Sequence, residues 1–307
     1  MDTKEEYMQH LVFPNLASKE SFEKEYPFQS HFFDCNGIRM HYLDEGSGDA
    51  LVMVHGNPTW SYYYRNLVKN FSGQYRCIVP DHIGCGLSDA PEEKQYSYTL
   101  ASRVDNLEAL LESLGLKKIT LVLHDWGGMI GMAYAHRHPE KIQKIVLLNT
   151  AAFPLPEKKA FPWMLWLTRL FIGKFLVLRC NAFSRIASRV CCTRKKMPAK
   201  IRDSYIAPYT RKDRRLATFR FVEDIPLKPK DTAYSIVKEV AEGLRKFQAT
   251  PVLICWGAKD FVFDRAFLEE WRKRWSHAKI HFFPDCGHYV LEDNTEEIIA
   301  LIKDFLT

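Results

Sequence analysis

From residue 29 onward the apolar positions fall into a repeating rhythm, in which short runs suited to buried strands alternate with longer stretches of helical spacing. Residues 29–34 and 38–44 read as two strands joined by Asn36-Gly37, a dipeptide that suits a tight hairpin turn. Residues 51–55, 75–80, 118–123, 142–149, 251–257 and 279–283 are short and mostly apolar, too brief for helices. Between and after them, residues 60–71, 98–114, 126–138, 263–275 and 295–306 read as helices. Such alternation predicts an α/β architecture: a mostly parallel sheet with helices on both faces. Residues 1–27 are polar and weakly patterned, and a partly ordered arm is expected there.

The rhythm breaks once. Residues 150–240 contain no convincing buried strand, only helical and irregular stretches rich in aromatics, Arg and Lys. The predicted organisation is therefore a core from 1–150, a helical cap over 151–240 inserted after the sixth strand, and the rest of the core over 241–307. Within the cap, residues 161–178 are strongly apolar but interrupted by Arg169, Gly173 and Lys174, so no run is long enough to span a bilayer. The stretch suits a lid over a hydrophobic substrate. The alternatives are an interfacial membrane contact and plain cap core.

Composition narrows the setting. A length of 307 residues fits one α/β domain with an insertion, and 47% apolar with 26% charged residues is ordinary for a globular protein. The start, Met1-Asp-Thr-Lys-Glu-Glu, lacks a basic segment leading into an apolar run, so a cytoplasmic location is expected. Eight cysteines without C-x-x-C spacing predict free thiols and no metal site, and nothing calls for a cofactor. The net charge of +6 hides an asymmetry: residues 157–230 hold 19 Lys and Arg against five Asp and Glu, a balance of +14 that leaves −8 for the remainder. No nucleic-acid-binding motif accompanies this excess, so nucleic acid is not the expected partner. Self-association is left open.

The chemistry centres on Asp125. It sits between the strand over 118–123 and the helix starting at Trp126, with Gly127 and Gly128 permitting close packing. That is the setting of a nucleophile elbow, which ordinarily carries Ser in G-x-S-x-G. A carboxylate is already ionised at neutral pH and needs no base to become a nucleophile. It can attack an sp³ carbon bearing a leaving group, or a strained ring, and form an enzyme ester. The competing reading is a helix N-cap.

His288 follows the last predicted strand and is placed to activate water for resolving such an ester. Asp260 follows the penultimate strand and is the expected acid behind the imidazole. Asp264 is its competitor, placed inside the next helix. Asn149, at the end of the sixth strand, carries no charge and cannot fill that role. Asn57 and Trp126 supply hydrogen-bond donors for a halide or a carboxylate-like leaving group, against the bland readings of a turn residue and plain packing. The loop over 83–88 lacks the third glycine and the Lys of a phosphate cradle. His55 and His124 are expected to be structural.

His55-Gly-Asn-Pro-Thr59, Pro80-Asp-His-Ile-Gly-Cys-Gly-Leu-Ser-Asp89, His124-Asp-Trp-Gly-Gly128, Lys259-Asp260 and Gly287-His288 together resemble the haloalkane dehalogenase-like branch of the α/β-hydrolases, from about residue 30 to the C-terminus. The resemblance implies an eight-stranded α/β-hydrolase fold, Asp125 as nucleophile, His288 as base, Asp260 as acid, and Asn57 with Trp126 as the anion-binding pair. Epoxide hydrolases share His-Asp-Trp-Gly but usually lack the Asn. Within the branch, Asp81-His-Ile-Gly-Cys-Gly-Leu-Ser-Asp89 and Trp256-Gly-Ala-Lys-Asp-Phe-Val-Phe-Asp264 are similar to the β-lactone decarboxylases of long-chain olefin biosynthesis. Those enzymes turn a cis-3,4-dialkyl β-lactone into a cis-alkene and carbon dioxide. The implied substrate is small and hydrophobic, and the basic cap is implied to meet a membrane surface or partner enzymes of that pathway. Haloalkane hydrolysis is the alternative activity; epoxide hydrolysis and a non-catalytic scaffold rank below it.

Overall fold

Side chains along the central strands alternate between two apolar clusters, one on each face of a sheet, and this is why the strands read as nearly continuous apolar runs. The computed structural model describes residues 8–157 and 159–307. Its strands are β1 (His31–Cys35), β2 (Ile38–Glu45), β3 (Ala50–Val54), β4 (Arg76–Pro80), β5 (Ile119–Asp125), β6 (Ile142–Thr150), β7 (Val252–Gly257) and β8 (Lys279–Phe283). They form one eight-stranded sheet in the order β1-β2-β4-β3-β5-β6-β7-β8. β2 runs antiparallel to β1 and β4, and every other pairing is parallel. Val52, Val54, Leu121 and Leu123 face one cluster, while Leu51, Met53 and Val122 face the other.

In chain order the α-helices are α1 (Leu16–Glu25), α2 (Arg65–Phe71), α3 (Leu100–Ser113), α4 (Trp126–Arg137), α5 (Trp163–Thr168), α6 (Phe171–Cys180), α7 (Ala182–Val190), α8 (Ala199–Ile206), α9 (Leu216–Glu223), α10 (Tyr234–Gly243), α11 (Arg265–Arg274), α12 (Val290–Asp293) and α13 (Thr295–Leu306). α3, α4, α10 and α11 cover one face of the sheet; α1, α2 and α13 cover the other. α3 starts where Thr99 and Ser102 cap each other reciprocally, satisfying donors that the first turn leaves orphaned. Between β6 and β7 the described residues form only helices and turns, as the break in rhythm predicts. α10, at the end of that insertion, packs on α4.

Two expectations need correction. The arm over 1–27 holds a regular helix within its described part: Asn15 caps α1 by accepting the Ser18 N–H at 2.9 Å. Phe22 is buried there among the rings of Tyr26, Trp60 and Tyr62, with centroids 5.3–5.9 Å apart. The helix buries so few of its own residues that no amphipathic pattern marks it; it is held by that ring cluster and by packing on α8, where the Ser18 hydroxyl donates to Asp203 at 2.6 Å. The segment over 60–71 is a 3₁₀ turn, Ser61–Tyr64, followed by the shorter helix α2. Behind it the buried Arg65 pairs with Glu292, which also accepts the Tyr205 hydroxyl of α8 at 2.6 Å, tying the insertion to the core.

Candidate active site

β5 ends on Asp125 and α4 begins on the next residue, so the chain reverses with no loop between them. The reversal leaves Asp125 at φ 52°, ψ −127°, a conformation costly for any residue with a side chain. Gly127 and Gly128 permit it, because a Cβ on either would overlap the Val54 carbonyl or the Thr150 hydroxyl. The N-cap alternative is not met: the carboxylate accepts nothing from the first turn of α4. Instead Oδ1 accepts the backbone N–H of Asn57 at 2.8 Å, and Oδ2 lies 3.4 Å from His288 Nε2.

His288 lies in the loop between β8 and α12, and its Nδ1–H donates to Asp260 Oδ2 at 2.8 Å. Asp260 is fixed in turn, Oδ1 accepting the backbone N–H groups of Val262 (2.7 Å) and Phe263 (3.0 Å). Asp125, His288 and Asp260 are thus brought together from the ends of three strands, all three buried. Burial opposes charge on the imidazole, but Asp260, followed by Asp125, raises its pKa to about 10. Burial likewise opposes charge on Asp125, yet His288 and the Asn57 N–H hold its carboxyl below the usual aspartate range. Asp125, His288 and Asp260 form a row in which the central imidazole favours its charged form.

Asp264 stands apart from this row. It is the N-cap of α11 rather than a residue within that helix, accepting the Ala266 N–H at 3.0 Å and pairing with Lys159 at 2.5 Å. Asn57 and Trp126 both line the cavity above Asp125. One N–H of the Asn57 amide is turned to the Thr218 carbonyl at 3.0 Å, so its backbone N–H, not its side chain, is the donor that meets Asp125. The indole N–H of Trp126 has no acceptor among the described residues. His55 donates from Nδ1 to the Gly56 carbonyl at 2.7 Å and accepts the His82 N–H. His124 donates to the His288 carbonyl at 2.9 Å; burial and the neighbouring His288 lower its pKa to about 3, so it is neutral.

Two residues without a role in the sequence reading hold the row in place. Asn149 donates to Asp260 Oδ2 and to the Gly257 carbonyl, each at 3.0 Å, and accepts the Gly257 N–H at 2.7 Å. Its lack of charge disqualifies it as the acid but suits it as a brace. The signal was available, because β6 and β7 are parallel neighbours and their carboxyl ends meet. Asp293 accepts the backbone N–H groups of Gly287 (2.7 Å), Thr193 (2.9 Å) and Arg194 (3.2 Å), stapling the His288 loop to the insertion. Only the fold reveals that pairing. Asn149→Ala is expected to reduce turnover about tenfold or more and to destabilise the protein by about 1–3 kcal/mol, since it orphans buried groups on Gly257 and Asp260. Urea unfolding and steady-state rates check both parts.

Above the row lies a cavity of about 490 Å³, ordinary for a small-molecule site. Its walls are apolar side chains from α5, α6, α7 and residues 222–227 and 261–267, and Asn57, Asp125, Trp126 and His288 stand among the few polar groups. Among the described residues no cluster of His, Cys, Asp and Glu is arranged to hold a metal.

A family model described as the alpha/beta hydrolase fold matches residues 49–295. A protein of Shewanella oneidensis named cis-3-alkyl-4-alkyloxetan-2-one decarboxylase is 55% identical, over 92% of this chain and 89% of its own. A protein of the same name from Xanthomonas campestris pv. campestris is 46% identical, over 88% and 93%. The crystal structure of the haloalkane dehalogenase DatA from Agrobacterium tumefaciens C58 superposes with a TM-score of 0.81 at 23% identity, over 91% and 96% of the two chains.

Proposed function

The chain belongs to the alpha/beta hydrolase family, and from that premise we propose that it is a β-lactone decarboxylase. It opens a cis-3-alkyl-4-alkyloxetan-2-one with Asp125 and releases a cis-alkene and carbon dioxide. The observation that carries this reading is the Asp125 carboxylate 3.4 Å from His288 Nε2 at the polar end of an apolar cavity, a placement that favours charge on both groups. The relatives' name supplies the substrate class.

The chemistry balances without water. The Asp125 carboxylate attacks C4 of the ring from the side opposite the ring oxygen; the C4–O bond breaks, and its electrons leave with the carboxylate now attached to C3. The new ester oxygen stands anti to that carboxylate. The C3–carboxylate bond then supplies the electrons of the C3–C4 double bond, carbon dioxide departs, and Asp125 leaves C4 as a carboxylate again. Inversion at C4 followed by anti elimination keeps the two alkyl groups on one side, so a cis-lactone gives a cis-alkene.

Each group has a part in this sequence. The Trp126 indole N–H and the elbow hold the carboxylate exposed by ring opening. The apolar walls favour its conversion to uncharged carbon dioxide, because a carboxylate is poorly solvated there. Negative charge moves from the cavity back to Asp125, where the His288 imidazolium receives it. Asn149 and Asp260 keep that imidazole oriented. While His288 holds its proton it cannot take one from water, which disfavours hydrolysis.

The test is direct. Purified protein given a cis-dialkyl β-lactone is expected to yield the cis-alkene by gas chromatography; recovery of the unchanged lactone overturns the reading. Haloalkane hydrolysis is the second reading, favoured by the donors at Asn57 and Trp126, and halide release from a panel of bromo- and iodoalkanes tests it. The pH profile follows from His288. Its folded pKa is raised, so the proton is retained across neutral pH and lost as pH climbs through about 10. The kcat/KM for alkene formation is expected to stay level across neutral pH and fall as pH approaches 10. Eight free cysteines suit the cytoplasm as the proposed setting.

A further inference from the structure

Ten side chains between residues 163 and 190 are large, apolar and exposed, among them Phe171 (86%), Ile172 (72%) and Trp163 (69%). Nine of them sit on α5, α6 and α7, and Leu170 lies between α5 and α6. Trp163, Leu167, Leu170, Ile172, Leu176 and Ile186 are both exposed and part of the cavity lining, which puts the mouth of the cavity inside this patch. Trp166, Phe171 and Phe175 extend the patch beyond the cavity. An exposed apolar surface of this kind marks an interaction site.

Charge decides what it meets. Residues 158–202 contain 12 Lys and Arg and no Asp or Glu. Arg179, Arg185, Lys195 and Lys196 are exposed and make no ion pair among the described residues. Exposed aromatic and aliphatic side chains with the unpaired Arg179 and Arg185 on the same helices are the composition of a surface that lies in the headgroup region of an anionic bilayer. A second copy of this chain fits less well, because a two-fold contact through the patch sets cation against cation. No helix among the described residues is long and apolar enough to cross a membrane, so the contact is peripheral.

We propose that α5, α6 and α7 dock the protein on an anionic phospholipid bilayer, with the mouth of the cavity facing the acyl chains. An apolar substrate then enters, and an apolar product leaves, without crossing water. The location of the surface rests on the exposed patch; the benefit to turnover rests on the proposed dialkyl substrate. Docking is measured without substrate, so the two can fail separately.

The experiment is co-sedimentation of the full-length protein with vesicles of phosphatidylcholine alone or with about 30 mol% phosphatidylglycerol. Binding to the anionic vesicles is expected to exceed binding to the neutral ones by about tenfold or more, and to weaken at high salt. Arg179→Glu with Arg185→Glu is expected to remove the preference for anionic lipid. Phe171→Ser with Phe175→Ser is expected to cut binding about tenfold while leaving the thermal midpoint and turnover of a short, water-soluble substrate unchanged. Equal or absent binding to the two vesicle types overturns the proposal. So does a dimer in sedimentation velocity that the Phe171 and Phe175 substitutions dissociate, which assigns the face to a second copy.

Discussion

Asp125→Asn is expected to lower kcat/KM for alkene formation by about 10⁴-fold or more, equivalent to about 5.4 kcal/mol of lost transition-state stabilisation. The amide keeps the shape of the carboxylate and can still accept the Asn57 N–H, which in the wild type is 2.8 Å from Oδ1. It cannot open a ring as a nucleophile, since its nitrogen lone pair is delocalised and it carries no charge. The fold has no reason to change, because the elbow is set by Gly127, Gly128 and Thr150 rather than by the charge. A thermal unfolding midpoint close to wild type distinguishes lost chemistry from lost structure. Substantial alkene formation by this variant, with deamidation back to Asp excluded by mass spectrometry, removes Asp125 from the mechanism.

His288→Ala is the second large effect, and its product pattern carries more information than its rate. Alkene formation is expected to fall about 10²–10⁴-fold, the range for loss of a positioned acid–base group. With the imidazolium gone, the ester on Asp125 loses the cation that would receive its departing carboxylate. An adduct with the full mass of the lactone is therefore expected by intact-mass spectrometry. A haloalkane, if accepted, leaves an alkyl group of lower mass, the halide having departed. In the wild type either ester removes the charge of Asp125, which helps raise the pKa of His288, but an alkyl ester carries no carboxylate that can leave as carbon dioxide and so persists. The imidazole is then better able to release its proton and activate water, so one triad is compatible with either chemistry. An unchanged alkene rate in His288→Ala means the imidazolium plays no part in release.

The parts of this molecule that were legible in the sequence are those set by local patterning. Strand runs, the Asn36-Gly37 turn and the elbow at Asp125 each declare themselves within about ten residues. The meeting of Asp125, Asp260 and His288 at the ends of β5, β7 and β8 then follows from parallel-sheet topology. What stayed hidden depends on distant partners. α1 is polar along most of its length, and the contacts of Phe22 that anchor it are to rings more than thirty residues away. The brace from Asn149 to Asp260 spans 111 residues, and an uncharged amide at a strand end gives no local sign of it. Asn57 was read for its side chain, whereas its backbone N–H meets Asp125 and its amide turns to Thr218, 161 residues on. The apolar stretch over 161–178 is divided between cavity wall and outer surface, a division that composition cannot show.

The central claim is that Asp125 opens a lactone and is set free by elimination, with no water consumed. Multiple turnovers of a cis-dialkyl β-lactone in ¹⁸O-labelled water test it most directly, followed by mass analysis of the peptide carrying Asp125. The account predicts cis-alkene, carbon dioxide and an Asp125 peptide of unchanged mass, because no water attacks the ester carbonyl. A β-hydroxy acid as product, with ¹⁸O built into the Asp125 carboxylate, would contradict it and make the protein a hydrolase in mechanism as well as in fold.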